Sequence, residues 1–438
     1  MPVSESSLPV AEATGLRTHP LTGVVQGALW AAAASFGLVS SMMGGGWGEL
    51  GLWLSVLIGL LGGLLLGMGV GFLSWLFTRY VIDGTELRIN SGIITKSSRR
   101  IPYERLQSVD IAEPLVARLF GLAELRIEMA GGRNSRTTLR FLTVADAVAL
   151  RTVLLNRARG ADEADAPEQR SVITTVPPLR IIIGTLLSLD FLFAVVGSVA
   201  FVALAIRFDQ FLALLGGIIP FATWLSQIVG KRVIQQWDFT LSRGEGGLRI
   251  ERGLLSRTSQ TIPYDRVQGI AVKEPFVWRR LGWQRLEVDV AGYASQGNDD
   301  QGTNSSSTLL PISDLPLANA VMAELLPGAD PIMSNRTYAS PRSWLFAPIG
   351  FRYRWIAANQ RTFVASEGWI ERTTSIVPHH KTQSVELRQG PLHRRRAVAT
   401  VEVHSPKGPV DADGRHLEEA DARATLFAQL DRARASRG

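Results

Sequence analysis

The chain has 438 residues, a net charge of +7 and no cysteine. Its length exceeds that of one ordinary domain, which has about 100–150 residues, and the absence of cysteine excludes a disulfide framework and fits a reducing compartment. The positive charge is modest, and no motif resembles a DNA-reading helix or an RNA-binding sheet, so we expect no nucleic-acid partner.

Residues 1–20 are predicted to be a disordered tail, and residues 21–78 a transmembrane hairpin. Leu21–Gly48 and Leu50–Thr78 contain no charged residue. Each stretch exceeds the roughly 20 apolar residues that a helix needs to cross a bilayer core. A signal peptide is a poor alternative for the first stretch, because it is too long, lacks a small-residue cleavage site and is followed by a second apolar stretch.

A repeated pattern follows the first hairpin. Ile101-Pro102-Tyr103 returns as Ile262-Pro263-Tyr264, 161 positions later, and the offset stays constant over the surrounding block. A fainter third copy contains Pro378. We therefore predict three related modules at residues 79–159, 231–330 and 359–438. An acidic linker, residues 160–178, separates the first module from a second hairpin, residues 179–230.

The second hairpin has the same character as the first. Ile181–Ile206 is apolar apart from Asp190, and Gln210–Gly230 contains no charged residue. The sequence thus predicts four transmembrane helices in two hairpins. Lys231-Arg232 follows the last span, whereas the turn after the first span has no Lys or Arg. This asymmetry predicts a multi-pass protein of the cell (inner) membrane with every module on the cytoplasmic side.

Each module alternates polar and apolar residues with a period of two and then ends in a helical pattern. Leu125–Met129 is one alternating segment, and the predicted closing helices are Ala145–Leu155, Leu315–Leu326 and Leu417–Leu430. Period-two alternation is typical of half-buried antiparallel strands. The predicted fold is that of an α+β membrane protein, whose three small β-barrel modules are each closed by a C-terminal helix.

These features resemble the bacterial PH-domain-containing membrane proteins, the YdbT-like group. The resemblance lies in the order of hairpin and module, the Ile-Pro-Tyr-x-Arg-x-Gln block, the segment Arg118–Ala123 and the Ala130-Gly131 end, and it covers nearly the whole chain after residue 20. The third module departs from it, with His379-His380-Lys381 in place of Tyr-x-Arg and no glycine in Arg396-Ala397-Val398. The resemblance implies a pleckstrin-homology-like barrel of seven strands and one helix. It also implies a binding or scaffold role, with a suggested part in resistance to antimicrobial peptides, and no catalytic residue.

Two sets of basic residues are candidates for binding. Arginine suits bidentate phosphate contacts, so a phosphate-binding rim on the modules is one interpretation; a solvated charged face is the other. The rim candidates are Arg99, Arg100, Arg105, Arg266, Arg279 and Arg280. Asp190 is a candidate of a different kind, because an acidic group within a span is often functional. The alternative is that Asp190 lies at shallow depth and pairs with a cation there.

Residues 331–358 stand where a third hairpin would be expected, but they are too short and too charged to span a membrane. Pro331–Val410 holds twelve Lys or Arg against four Asp or Glu. Interleaved aromatic and arginine side chains fit the headgroup region of a bilayer, whereas a strand and loop packed on the third module is the alternative. The predicted contacts with the membrane surface are Arg342, Trp344, Phe346, Arg352, Arg354 and Trp355.

The sequence therefore favours a non-enzymatic protein that binds or scaffolds a partner protein, a peptide or anionic lipid. We expect membrane lipids and another membrane protein or a second copy of the chain as partners, and no cofactor, metal or catalytic residue. The alternative is a transporter subunit or an accessory component of a membrane enzyme. Four spans with a single acidic residue and no polar stripe favour the binding role over translocation.

Overall fold

The computed structural model describes residues 16–17, 49–77, 79–91, 97–129, 136–158, 171–208, 221, 223–244, 246–291, 308–329, 333–405 and 410–437. The chain divides into two compact units. The first unit contains residues 1–168 and 255–260, and the second contains residues 169–254 and 261–438. The first predicted module lies in the first unit. The third module and all of the second module except residues 255–260 lie in the second unit.

The described strands fall into three sets of seven, one for each predicted module. The first set is β1 (Leu16–Arg17), β2 (Arg79–Ile82), β3 (Glu86–Ser91), β4 (Ser97–Pro102), β5 (Leu106–Pro114), β6 (Leu122–Met129) and β7 (Arg136–Thr143). The second set is β8 (Ser171–Val176), β9 (Phe239–Gly244), β10 (Gly247–Arg252), β11 (Ser256–Pro263), β12 (Val267–Pro275), β13 (Trp283–Val290) and β14 (Thr308–Asp314). The third set is β15 (Thr337–Tyr338), β16 (Trp355–Ala358), β17 (Thr362–Glu367), β18 (Glu371–Pro378), β19 (Ser384–Arg388), β20 (Val398–His404) and β21 (Ala412–Glu418).

The described helices fall into equivalent places in the modules. Those before or between the strands are α1 (Glu49–Phe77), α2 (Leu115–Leu119), α4 (Pro178–Leu186), α5 (Leu189–Arg207), α6 (Phe276–Arg280) and α8 (Pro391–Arg395). The closing helices are α3 (Val144–Ala158), α7 (Leu315–Leu325) and α9 (Glu419–Ala435), which match the three predicted closing helices. All described strand pairs are antiparallel, as the alternation of polar and apolar residues predicts.

The apolar segments are inserted between the first and second strands of a module rather than placed before it. Val176 at the end of β8 pairs with Phe239 at the start of β9, so the chain from 177 to 238 leaves the sheet and returns to it. In the same way, Leu16 in β1 pairs with Tyr80 in β2. The predicted tail and linker therefore each contribute a strand. Alternation in the sequence could not reveal these strands, because their partners are about 60 residues away along the chain.

A short 3₁₀ turn follows the fourth strand in each module and directs the chain into the fifth. These turns are Tyr103–Arg105, Tyr264–Arg266 and His379–Lys381. A proline precedes each turn and fixes its entry in extended backbone. The first residue of each turn donates its backbone N–H to the loop between the second and third strands, as Tyr103 does to the Thr85 carbonyl. The repeated Ile-Pro-Tyr block thus builds a corner of the barrel.

The second and third modules are joined by strand pairing and by a shared core. β12 pairs with β18 over six residues, from Ile270↔Ile376 to Pro275↔Glu371. One buried cluster contains Leu286 from the second module and Val364 from the third. Because both a ladder and an apolar core cross this junction, the two modules form one rigid part of the second unit.

The third predicted span, 181–206, is not one helix. α4 ends at Leu186, and α5 begins at Leu189, where the Ser188 side chain accepts a hydrogen bond from the Phe191 N–H as an N-cap. Ile181 in α4 is buried against the second module. The spanning helix is therefore shorter than predicted, because the first turns of the apolar run belong to the core of the module.

One described helix, Leu189–Arg207, is long and apolar enough to cross a membrane. Within α1, the stretch Leu57–Gly69 is apolar but shorter. The predicted span Leu21–Gly48 lies outside the described residues, as does most of Gln210–Gly230. On α1, Gly59, Gly63 and Gly67 form a buried stripe, which is the side on which another helix can approach closely.

Candidate functional site

Three connections meet at one edge of the second module, the edge from which the inserted segment leaves. We name this edge, and the equivalent edge of the third module, the insert edge. In the second module, the Trp278 ring N–H in α6 donates to the Gly184 carbonyl in α4 at 3.1 Å. The Leu254 N–H, in the turn between the third and fourth strands, donates to the Ile234 carbonyl at 2.9 Å, near the end of the insertion. The insertion, this turn and the short helix after the fifth strand are therefore neighbours.

The insert edge of the third module lies beside that of the second. The β12–β18 register places Pro275, just before α6, opposite Glu371. The Phe276 N–H then donates to the Ile370 carbonyl at 2.8 Å, and the Arg279 guanidinium donates to the Trp369 carbonyl at 2.9 Å. The two insert edges therefore form one continuous surface.

In the third module a short loop stands between the first two strands, where the other two modules carry a long apolar insertion. It contains two 3₁₀ turns, Pro341–Leu345 and Gly350–Tyr353, between β15 and β16. The Ser340 side chain caps the first turn by accepting from the Arg342 N–H. Proline at 348, which disfavours continued helix, lies between the two turns. The loop lies within residues 331–358, which stand in the sequence where a third hairpin would be expected.

The loop and the nearby α8 expose large apolar side chains. Trp344 is 52% exposed, Leu345 52%, Ile349 54% and Leu392, in α8, 58%. Phe346 of the loop contacts His393 of α8, with ring centroids 4.4 Å apart, so the loop and α8 are adjacent. We name Trp344, Leu345, Ile349 and Leu392 the apolar patch.

Arginine side chains surround the apolar patch. Arg342 is exposed, with Glu418 at 3.4 Å, and the exposed Arg352 lies over the Phe351 ring at 5.7 Å. Arg394, Arg395 and Arg396 are exposed at the end of α8. An aliphatic and aromatic centre with a guanidinium rim suits a bilayer interface, where rings bury in the acyl boundary and cations meet phosphate.

Three of the predicted surface residues serve the fold instead. Trp355 begins β16 and is only 8% exposed, and the Arg336 guanidinium lies 4.3 Å from its ring centre. The Arg354 guanidinium is partly buried and lies 3.0 Å from His416 Nδ1. Phe346 packs between loop and module. Trp355 lies in β16, whose first three residues are all buried, so its place in the sheet rather than the interleaving of rings and cations decides its exposure.

His416 holds the loop in place at the centre of this arrangement. Its carbonyl accepts from the Ser340 N–H at 2.8 Å, and its ring lies 5.5 Å from that of Phe346 and 5.2 Å from that of His393. Burial, followed by the nearby positive charge of Arg354, lowers the pKa of His416 to about 4. The neutral ring can accept a hydrogen bond from the Arg354 guanidinium at Nδ1, whereas a protonated ring would repel the guanidinium.

Asp190 has a cationic partner, as the shallow interpretation requires. It lies in the first turn of α5, and its carboxylate pairs with Arg232, at the other end of the insertion. Arg180, the nearest basic residue before Asp190 in the sequence, pairs with Asp314 instead. The Asp190–Arg232 pair therefore connects the start of α5 to the returning end of the inserted chain.

The candidate rim arginines lie at different places within their modules. Arg266 precedes β12 and Arg279 and Arg280 follow it, so about 30 Å of extended strand separates them. In the first unit, Arg105 stands in the corner turn, and the Arg99 guanidinium donates to the Thr137 hydroxyl at 2.7 Å. Arg100 is exposed on β4. Of these six residues, only Arg105 and Arg266 stand at equivalent positions of the repeat, 161 residues apart.

A cavity of about 530 Å³ lies at the opposite edge, between the corner turns of the second and third modules. Tyr264, His380, Lys381 and Arg361 are among its lining residues. The Lys381 ammonium and the Arg361 guanidinium donate to the carbonyls of Asp265 and Pro327, respectively. This cavity is not predictable from the sequence, because it lies where two copies of the corner turn meet.

A group of metal-ligand type also lies on the third module. Glu386, Glu402 and His404 have donor atoms within 4.8 Å of one another on β19 and β20. The Arg388 guanidinium pairs with Glu402 at 2.9 Å and lies 3.8 Å from Glu386. The arrangement is therefore that of a surface ion-pair network, in which an arginine already neutralises the carboxylates.

The comparisons with known proteins agree with this architecture. The bacterial PH domain family matches residues 28–158, 179–329 and 332–434, one match for each module. The chain is 22% identical over 279 residues to the UPF0699 transmembrane protein YdbT of Bacillus subtilis (strain 168), covering 56% of this chain and 55% of the relative. The chain thus spans about half the length of this curated relative. With three matches that together cover most of its length, the chain belongs to the bacterial PH domain family and carries three copies of the domain.

Proposed function

We propose that this protein is a non-enzymatic, membrane-anchored binding protein whose third PH module rests on anionic headgroups of the cytoplasmic leaflet. One observation carries the proposal. The apolar patch lies on an insert edge that is continuous with the edge from which the apolar helix Leu189–Arg207 leaves. A surface on that side meets the bilayer in which the helix is embedded.

Strand pairing supports the proposed four spans. Because β8 and β9 are paired, the chain between them starts and ends at the same sheet. If it crosses the membrane along α5, it must cross back, which requires an even number of spans. The pairing of β1 with β2 places the same requirement on the first insertion.

The basic residues support a cytoplasmic orientation. Arg180 and Arg232 lie at the two ends of the second insertion, where it enters and leaves the module. Lys and Arg near the ends of spans favour the cytoplasmic side, and each contributes on the order of 1 kcal/mol of attraction to an anionic surface. The twelve Lys or Arg of Pro331–Val410 extend this preference to the third module.

A binding role suits the chemistry of the insert edge. Its exposed side chains are indole, aliphatic and guanidinium groups, which contact lipid and phosphate but do not transfer protons or acyl groups at neutral pH. PH modules anchored to a membrane would hold a second protein close to the lipid. Cationic antimicrobial peptides compete for the same anionic headgroups, which is one way in which such a protein could affect resistance to them.

The membrane contact can be tested with single cysteines, because the natural chain has none. We expect Trp344→Cys and Ile349→Cys, labelled with an environment-sensitive fluorophore in full-length protein in nanodiscs, to be quenched by spin-labelled acyl chains. Asp431→Cys on the exposed face of α9 is the control and should not be quenched. Quenching at 344 and 349 should be stronger with anionic than with neutral lipid. Equal quenching at 344, 349 and 431, or none at 344 and 349, would refute the proposed contact.

A further inference from the structure

One strand pairing recurs in the two units, with the same register. In the first unit, which includes residues 256–260, β5 pairs with the start of β11, with Pro114 opposite Ser256 and Ile111 opposite Ser259. In the second unit, β12 pairs with β18, with Pro275 opposite Glu371. Pro275 is the repeat counterpart of Pro114, and Glu371 is that of Ser256. The fifth strand of one module thus binds the fourth strand of the next in an identical way.

The fifth strand of the third module, β19, is the next member of this series. The corner turn before it and the short helix after it both stand 115 positions beyond their counterparts around β12. Within the part of the chain that the structure describes, β19 pairs with β20 only and is the edge of its sheet. Its burial alternates between exposed and partly buried, whereas β12 is buried along most of its length by β18.

The fourth strand of the first module, β4, is the matching edge at the other end. Among the described strands it pairs with β3 and is the last strand of its sheet. Its counterparts β11 and β18 both accept a fifth strand. Among the described strands, β19 is therefore a fifth strand without a fourth-strand partner, and β4 is a fourth strand without a fifth-strand partner. Strands of these two kinds already pair with each other twice.

We propose that the chain associates head to tail with a second copy of itself, by pairing β19 of one copy with β4 of the other. The repeated register places Leu387 opposite Ser98, as Val272 stands opposite Thr374 and Ile111 opposite Ser259. This pairing is heterologous, so it extends to a filament or closes as a ring. It does not depend on whether the third module touches lipid.

Charge along the two edges agrees with this partner. The same register places Glu386 of β19 opposite Arg99 of β4, and a cross-strand pair of opposite charge favours pairing. Charged residues on an edge strand often discourage association. Here the filled counterparts also carry charge, since Glu113 stands opposite Arg257 and Glu274 opposite Arg372 in the two existing junctions.

The register can be tested by disulfide trapping between two differently tagged full-length copies in native membranes. One copy carries Glu386→Cys and the other Arg99→Cys. Directly opposite strand residues lie about 4.5–5.5 Å apart at Cα, within disulfide range. We expect mild oxidation to give a dimer containing both tags. Arg100→Cys with Glu386→Cys, a shift of one residue, should cross-link several-fold less, and Asp431→Cys with Arg99→Cys should not cross-link.

Charge reversal gives a second readout without cysteine. We expect Glu386→Arg in one copy to weaken the affinity between two fluorescently labelled copies about fivefold, as measured by energy transfer between the labels. Like charges directly opposite each other on paired strands cost up to about 1 kcal/mol. Arg99→Glu in the other copy should restore the affinity. The proposal would be overturned by equal cross-linking in all cysteine pairs or by a preferred dimer linked through position 386 of both copies. Capture of another protein at β19, or failure of Arg99→Glu to restore the affinity, would also overturn it.

Discussion

Ala397 adopts a backbone conformation that its two counterparts reach with glycine. Its φ is 52°, and those of Gly121 and Gly282 are 66° and 69°. A left-handed conformation costs a residue with a Cβ about 1–2 kcal/mol, while glycine costs about 0.5–1 kcal/mol more in chain entropy. The third module therefore carries local strain after α8, at the point where the sequence departs from the family pattern.

We expect Ala397→Gly to stabilise the third module by about 0.5–1 kcal/mol, because glycine removes the Cβ strain. Slower amide hydrogen exchange in 391–404 would report this. Gly282→Ala is the matched reverse change, and no atom lies within 4 Å of its added Cβ, so only the backbone is tested. It should destabilise the second module by about 1 kcal/mol; unchanged exchange in both variants would contradict the strain argument.

His416 makes the third module sensitive to acid. Its folded pKa, about 4, lies below the usual value of 6.5, so the unfolded state binds more protons between these values. Stability from the neutral ring is fully present above pH 6.5 and is lost as the pH falls toward 4. We expect the melting temperature of the module to fall between pH 7 and 5. The melting temperature of His416→Asn should fall less over the same range; asparagine is chosen because it tolerates the positive φ of 60° at this position. A wild-type melting temperature that does not change with pH would be inconsistent with this role.

At the level of elements, the packing of α4 on the second module depends on a glycine. A Cβ on Gly184 would lie 2.1 Å from Ile312 Cδ1 and 3.1 Å from Trp278 Cζ2. Trp278 is almost fully buried and hydrogen-bonded to the Gly184 carbonyl. The close approach lets the inserted helix begin as part of the module.

We expect Gly184→Ala to destabilise the second unit by about 1–3 kcal/mol, the usual cost of overpacking a filled core. Thermal melting in detergent, followed by Trp fluorescence, would measure it. Gly197→Ala in α5 is the control, because nothing lies within 4 Å of its added Cβ, and its melting temperature should match the wild type. Equal melting of both variants would show that α4 does not depend on this contact.

The elements differ in how far the sequence predicts them. Period-two alternation and the closing helical patterns identified most strands and all three closing helices, since burial on one face imposes those periods. The break between α4 and α5 at Leu187-Ser188 could not be predicted from the sequence, because a helix buried in a core and a helix that spans a membrane are equally apolar. Of the residues expected at the membrane surface, Trp344 is exposed, whereas Trp355 faces the core.

For the whole molecule, the repeat indicated three modules but not how they join. Constant spacing locates the copies along the chain. The strand pairings between modules depend on which strands lie at the edge of a sheet, and the local sequence does not indicate this. The position of the hairpins inside the sheets was also hidden, because the first strand of each module stands before a long apolar insertion.

The orientation can be measured over the whole chain with one exposed cysteine per module. We expect Glu104→Cys, Asp265→Cys and Ser384→Cys, each at an exposed position, to be protected from an impermeant thiol reagent in intact cells. Gly45→Cys, in the predicted turn between the first two spans, should be labelled. After lysis all four should react. Labelling of any module cysteine before lysis would rule out the cytoplasmic placement.

The insertion of a long apolar segment between paired strands sets an order on biosynthesis. β8 leaves the ribosome before the apolar insertion, but its partner β9 follows the insertion. The second PH domain therefore cannot complete its sheet until the whole insertion, residues 177–238, has been synthesised. Closure of β8 on β9 then brings both ends of the apolar segment to one sheet, so completion of the domain and placement of its inserted segment are coupled steps.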